Sequence, residues 1–152
     1  SCDLRNTLNN TTINSLTNKT YIKAVTKTYI PTYNSSNTLT CIDKLWLLAS
    51  SEIWNKGISS GVYAYAQTSE SDGQYKYYAK YLGSTDPNGT NNVTKKPNTS
   101  SPTAWWNRSP HNFYSYYYSC VGWNAIDSDG GARRNNYSAP DQVLGVAPGF
   151  CI

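Results

Sequence analysis

The chain has 152 residues, a formal net charge of +4 and only 14% charged residues. That length suits one domain, residues 1–152, with a core of its own. So thin a basic excess argues against a nucleic-acid partner, which needs a dense positive patch, and Lys95-Lys96 and Arg133-Arg134 are the only adjacent basic pairs. No apolar run approaches the roughly 20 residues of a membrane span, so direct membrane insertion is not expected. Tyr (14) far outnumbers Phe (2). Tyrosine buries a ring but needs a partner for its hydroxyl, which fits half-buried sheets and contact surfaces. The opening Ser1-Cys2-Asp3-Leu4-Arg5 shows no leader pattern and reads as cut from a longer protein.

In chain order, Asp3 to Asn9 reads as a short helix with Asp3 as cap and Leu4 and Leu8 on one face. A further helical turn is expected around Ile13 to Leu16. Ala24 to Ile30 alternates, with Val25, Lys27 and Tyr29 on one side, and Pro31 ends that strand. Tyr33 to Thr40 reads as a polar loop. Leu45-Trp46-Leu47-Leu48 is the strongest apolar run and is expected to be a strand buried on both faces. Ser50 or Ser51 then caps a short helix carrying Glu52, Ile53 and Trp54. Gly61 to Gly73 reads as loop or irregular strand. Gln74 to Leu82 has Tyr75, Tyr78, Ala79 and Leu82 at helical spacing. Ser84 to Thr103, with Pro87, Pro97 and Pro102, reads as a long exposed loop. Strand returns over Thr103 to Ser109. Phe113 to Asp127 and Ala132 to Ser138 read as a pair joined by the turn at 128–131. Val143 to Ile152 closes the chain as buried framework, with Leu144, Val146, Phe150 and Ile152 on one face. Helices first and a mostly antiparallel sheet afterwards make an α+β domain with long loops.

The search for chemistry yields little. His111 is the single histidine and sits after Pro110, where a lone loop histidine is usually solvated. Asp127 and Asp129 flank a turn, which accounts for them. A calcium loop needs a denser acidic cluster, and four scattered cysteines without a CxxC pair do not suit zinc. Neither a phosphate-binding loop nor a dinucleotide fingerprint is present. The reading is therefore not an enzyme, with no catalytic residues, no metal and no cofactor. Free thiols are preferred over disulfides at Cys2, Cys41, Cys120 and Cys151, because a chain of this size does not need staples. The Asn-X-Ser/Thr sequons, as at Asn10, Asn88 and Asn136, follow from composition. Arg108 reads as structural, stacked on tryptophan or paired with Asp43 or Glu52.

The remaining signal is a band of Tyr, Trp, Asn, Ser and Arg between Trp105 and Ile152. Tyr and Trp give wide, rigid contact area at small entropy cost, and Ser, Gly and Asn adapt their hydrogen bonding. On a strand, Tyr116-Tyr117-Tyr118 cannot all point inward, because the side-chain period is two. Exposed aromatics beside arginine mark a binding surface.

Framework residues on either side of this band form an ordered series: Leu4-Arg5 with Leu8-Asn9, Asp43-Lys44-Leu45-Trp46-Leu47-Leu48 with Ser51-Glu52, Trp105-Trp106-Asn107-Arg108-Ser109-Pro110, and Gly145-Val146-Ala147-Pro148-Gly149-Phe150. The series resembles lectin-like domains of phage tail and bacterial surface proteins. It also resembles the variable proteins of diversity-generating retroelements, which use a C-type lectin fold. The chain departs from those relatives at Asn107, where an apolar residue is common, and at Ala147, where Arg is common. The resemblance implies a C-type lectin-like fold with residues 105–152 as a candidate variable region. It also implies a virion (phage tail) or bacterial cell-surface location. The partner would be a protein or glycan receptor on a target cell surface; the oligomeric state stays open, a trimer being one option in a phage tail fibre. In such proteins adenine-directed copying rewrites Asn codons. The positions of that kind here are Asn107, His111, Asn112, Tyr114, Tyr116, Tyr118, Trp123, Asn124, Asp127, Arg133, Arg134, Asn135, Asn136 and Tyr137, expected to bind ligand. Trp123 is not reachable from an Asn codon by adenine changes alone. The alternatives weighed are a calcium-dependent carbohydrate-binding lectin and a small enzyme on the same fold.

Overall fold

The computed structural model describes residues 3–29, 37–53, 59–60, 63–64, 73–82, 94, 97–98, 101–102, 105–106, 108–109 and 145–152. They form a mixed architecture of short helices and five two-stranded sheets, of the α+β class expected from the sequence. The first helical run begins with α1 (Asp3–Asn6), widens to π geometry over Thr7–Thr12, and ends with α2 (Ile13–Ser15). Leu8 and Ile13 are buried and Leu4 is half-buried, as the spacing required. Asp3, expected as the cap, is instead the first helical residue.

Strand β1 (Val25–Tyr29) pairs antiparallel with β2 (Leu39–Asp43), register Val25↔Asp43 to Tyr29↔Leu39. The alternation held: Lys27 is buried between half-buried Val25 and Tyr29. Leu39 and Thr40, read as loop, belong to β2. Regular strand in the apolar run is confined to β3 (Trp46–Leu47); Leu45, Trp46 and Leu48 are buried as anticipated, and Leu47 is half-buried. It separates two apolar clusters. Leu45 packs with Leu8, Ile13 and Ile22, and Leu47 joins them. Trp46 and Leu48 turn the other way, onto Ile53, Tyr78, Leu82 and Trp105. A period of two thus sends successive side chains into opposite cores. Burying each large side chain contributes about 2–3 kcal/mol.

Helix α3 (Ser50–Ile53) follows. Ser50 and Ser51, expected as caps, are instead the first two helical residues. The Ala49 amide donates to Glu52 Oε2 at 2.7 Å, so the carboxylate of the helix's own first turn reaches back to cap it. Short pairs follow, β4 (Ser59–Ser60) with β5 (Tyr63–Ala64), ahead of α4 (Lys76–Leu82). Tyr78 and Leu82 are buried and Tyr75 is half-buried, but Ala79 is exposed, so the apolar face is narrower than its spacing suggested. The stretch read as one long loop contains β6 (Pro97–Asn98) paired with β7 (Ser101–Pro102). It also holds Thr94, whose carbonyl accepts from Trp105 Nε1 at 3.0 Å.

The C-terminal segment corrects a larger expectation. β8 (Trp105–Trp106) pairs parallel with β9 (Gly145–Val146), and β10 (Pro148–Gly149) pairs antiparallel with β3. Val146, Phe150 and Ile152 are exposed rather than core. Two-residue strands separated by Ala147 do not sustain one alternating face, and the segment docks through its backbone. Among the described residues four strand pairs are antiparallel and one is parallel. Among the described residues no helix is long and apolar enough to cross a membrane. The Phe113–Asp127 and Ala132–Ser138 pair, together with Leu144, lies outside the described residues.

Gly149 sits where β10 crosses the tryptophan of β3. A Cβ there would lie 2.8 Å from both Leu48 Cδ2 and Trp46 Nε1. Gly149→Ala is expected to destabilise by about 1–3 kcal/mol through overpacking, measured by urea denaturation. An unchanged midpoint would show that β10 does not dock this closely.

Candidate functional site

The polar centre of the described structure is Glu52, which has no solvent exposure. Its Oε1 accepts from Lys27 Nζ at 2.7 Å and from the Tyr75 hydroxyl at 2.6 Å. Its Oε2 accepts from Arg108 Nη1 and from the Ala49 amide, both at 2.7 Å. Lys27 Nζ also lies 2.9 Å from the Tyr75 hydroxyl and 4.5 Å from the centre of a Trp46 ring. Arg108 Nη1 donates to the Leu47 carbonyl at 2.9 Å, and the Arg108 amide donates to the Leu48 carbonyl at 2.9 Å. The structural reading of Arg108 therefore holds, and of its two candidate acids Glu52 is the partner.

Each of these groups is placed by its own element. Strand β1 directs Lys27 inward by alternation. The short first turn of α3 sets Glu52 back toward Ala49, and the chain beyond Trp106 brings Arg108 alongside. Tyr75 arrives just before α4, its amide bonded to the Glu52 carbonyl at 2.9 Å. Burial pushes the Glu52 pKa up. The charge of Arg108 and the hydrogen bonds from Lys27, Tyr75 and the Ala49 amide outweigh burial and leave it below the ordinary carboxylate value. Burial, reinforced by the Glu52 charge, pushes the Tyr75 hydroxyl far up, so it stays a neutral donor. A carboxylate ionised at neutral pH with both oxygens engaged is suited to holding segments together and poorly suited to moving protons.

A second polar knot lies beside the first. Arg5 Nε and Nη2 meet Asp43 Oδ2 and Oδ1 at 2.9 and 2.8 Å, a two-pronged pair. Asn9 clamps the start of the apolar run: its Oδ1 accepts from the Lys44 and Leu45 amides at 2.8 and 3.1 Å, and its Nδ2 donates to the Leu45 carbonyl at 2.8 Å. Cys41 and Cys151 are free thiols, as preferred, though Cys41 is only half-buried and Cys151 is exposed. Burial, then Asp43, pushes the Cys41 thiol up to about 11. Cys2 and Cys120 lie outside the described residues.

The sequence-derived ligand residues Asn107, His111, Asn112, Tyr114, Tyr116, Tyr118, Trp123, Asn124, Asp127, Arg133, Arg134, Asn135, Asn136 and Tyr137 all lie outside the described residues. Described residues flank them at Trp105–Trp106 and again from Gly145 onward. Trp105↔Gly145 and Trp106↔Val146 set the two ends of that stretch side by side. Sequence reasoning missed Lys27 as a buried cation and Asn9 as a backbone clamp. The one hint of the first was that Lys27 shares a strand face with Val25 and Tyr29. Among the described residues no His, Cys, Asp or Glu cluster could hold a metal ion.

The chain belongs to the DUF6273 family, a domain of unknown function whose match spans residues 1–152. No curated protein and no solved structure gives a significant match.

Because the Glu52 pKa is depressed on folding, its contribution to stability is present above the unfolded carboxylate pKa of about 4.3 and lost as pH falls through the lower folded value. Glu52→Gln is expected to cost about 3–5 kcal/mol at pH 7, since two cations lose their counter-charge. It should also flatten the fall in stability between neutral pH and the acid range. Urea midpoints followed from neutral to acid pH measure both effects. Parallel profiles for parent and variant would mean that Glu52 carries no such linkage.

Proposed function

We propose that this member of the DUF6273 family is a ligand-binding display domain with a C-type lectin-like fold. It presents the Tyr-, Asn-, Ser- and Arg-rich stretch between Trp106 and Gly145 to a protein or glycan receptor on a target cell surface, from a phage tail or a bacterial envelope. The observation that carries this reading is the placement of both ends of the stretch on one parallel strand pair. Parallel strands need a long crossover between them, and here the crossover is the segment richest in contact-forming residues. The framework series supports it as well. Arg5 with Asp43, Asn9 with Lys44 and Leu45, Glu52 with Arg108, and Gly149 against Trp46 are direct contacts. The residues that carry the resemblance are thus the ones that tie the scaffold together. Such a scaffold leaves the intervening side chains free to serve recognition, where substitutions usually change stability by only about ±0.5 kcal/mol.

The test is substitution by alanine at Tyr116, Tyr118, Trp123 and Arg134, read by retention on a panel of bacterial cells and by melting. The expected result is at least about tenfold weaker retention at one or more positions, with the melting temperature held within about 2 °C. Variants that unfold, or that all bind as the parent does, would count against the proposal. Retention that survives EDTA removes the calcium-dependent lectin. A near-copy of the 105–152 coding region differing only at adenines, beside a reverse transcriptase gene, would establish diversification.

A further inference from the structure

Helix α4 has two unlike faces. Tyr78 and Leu82 point into the core, whereas Tyr77 and Tyr81, one turn apart, are 56% and 54% exposed. The exposed rings are not loose. Tyr77 and Tyr81 pack on each other with centroids 5.1 Å apart and planes at 55°, and Tyr77 also meets the buried Tyr78 edge to face at 5.3 Å. A buried ring thus pins an exposed pair, so little side-chain entropy remains to be lost on binding. Lys76 and Lys80 share this outer face, and the Lys80 ammonium lies 5.1 Å from the Tyr81 ring centre. The helix carries no acidic residue, and among the described residues neither lysine has a carboxylate partner. The outer face of α4 is therefore two ordered rings flanked by two uncompensated positive charges.

Charge complementarity calls for an anionic partner, and open aromatic faces call for one with a flat C–H surface. Two turns of helix are too narrow by themselves for a folded protein, whose interface takes about 20–30 residues a side. A bilayer surface needs a free apolar face, and that of α4 is taken up by the core. A nucleic acid needs a denser basic track than two lysines. An acidic sugar meets the whole description: its C–H face lies on a tyrosine ring, its hydroxyls reach the phenol hydroxyls, and its carboxylate reaches an ammonium. A rise of 1.5 Å per residue sets Tyr77 and Tyr81 about 6 Å apart along the axis, room for about one or two sugar rings. We propose that the outer face of α4 binds an acidic polysaccharide of the uronate type, with sugar rings on Tyr77 and Tyr81 and carboxylates at Lys76 and Lys80. This face lies outside the 107–144 connection and stands or falls independently of the display reading.

The probe is hexagalacturonate, compared with maltohexaose as a neutral sugar and hexaglutamate as an anion without sugar rings. Calorimetric titration measures affinity, with chemical-shift changes locating the contact. Hexagalacturonate should saturate the protein and bind at least about tenfold tighter than either control. Binding should weaken as salt rises from about 0.1 M to about 1 M, which shortens the screening length from about 10 Å to about 3 Å. Alanine at Tyr77 and Tyr81 together should lower affinity at least about tenfold, with the melting temperature within about 2 °C of the parent. Lys76→Gln with Lys80→Gln should reduce binding to the level of the neutral sugar and remove its salt dependence, while Arg at both positions should keep it. Both lysines are exposed, so that pair carries the test even where the tyrosine pair fails to fold. Alanine at Tyr116 and Tyr118 should leave this binding intact, which separates it from the display test. The absence of saturable binding up to about 10 mM, equal affinity for hexaglutamate, or undiminished binding in the folded α4 variants would each overturn the proposal. So would tighter binding to a thymidine hexanucleotide or to phosphatidylglycerol vesicles.

Discussion

A single buried carboxylate sets the terms for the described structure. Glu52 is removed from water altogether, and a charge so placed costs several kcal/mol in lost hydration unless donors surround it. Four donors do, and they come from four places in the chain: Lys27 on β1, Ala49 at the start of α3, Tyr75 before α4, and Arg108 beyond β8. Each of them matters, because a missing donor leaves a buried carboxylate oxygen short of a hydrogen bond. The network therefore adds less to net stability than to register, since an apolar replacement of equal volume would often be as stable. It specifies which segments meet, and in what alignment, more sharply than carbon contacts alone.

The apolar run from Leu45 to Leu48 supplies the bulk energy that the ionic network cannot. Leu45 and Leu47 fill one core and Trp46 and Leu48 the other, so one short segment staples two clusters. Polar groups hold it at both ends. Asn9 satisfies the backbone around Lys44 and Leu45 at the near end, and Arg108 takes the Leu47 and Leu48 carbonyls at the far end. A run with little regular strand would otherwise leave buried backbone groups unpaired, which costs about as much as a lost hydrogen bond each. Side chains from distant segments thus do here what a wider sheet would do through its ladder.

Local patterns were legible in the sequence where their causes are local. The spacing of Leu4 and Leu8 gave a helix, the alternation around Lys27 gave a strand with the right parity, and four apolar residues in a row gave burial. The π widening over Thr7–Thr12 has no composition signal of its own. The alternation could not say that a lysine points into the core, because its justification, Glu52, lies 25 positions away. Likewise Arg108 had two plausible acids, and only the assembled fold gives Asp43 to Arg5 and Glu52 to Arg108. The C-terminal error has a different origin. Phe150 and Ile152 look like core residues, but their backbone pairing, including the Lys23↔Cys151 bridge, leaves those side chains outside. The candidate ligand residues were read from composition and resemblance, and the described residues fix only where their stretch begins and ends.

That difference between side-chain and backbone attachment bears on how a fold can carry a stretch of changing residues. The framework is specified by side chains: a carboxylate between two cations, an amide against a bare backbone, a glycine under an indole. The join that closes the 107–144 connection is specified largely by main chain, through Trp105↔Gly145 and Trp106↔Val146. Main-chain pairing is indifferent to most side chains, so substitutions inside the connection need not reach the join. Arg108 marks the boundary. It lies at the start of the connection, and its guanidinium is committed to Glu52 and to the Leu47 carbonyl. On the display reading, Arg108 itself has to stay fixed, since a change there would open the charge network.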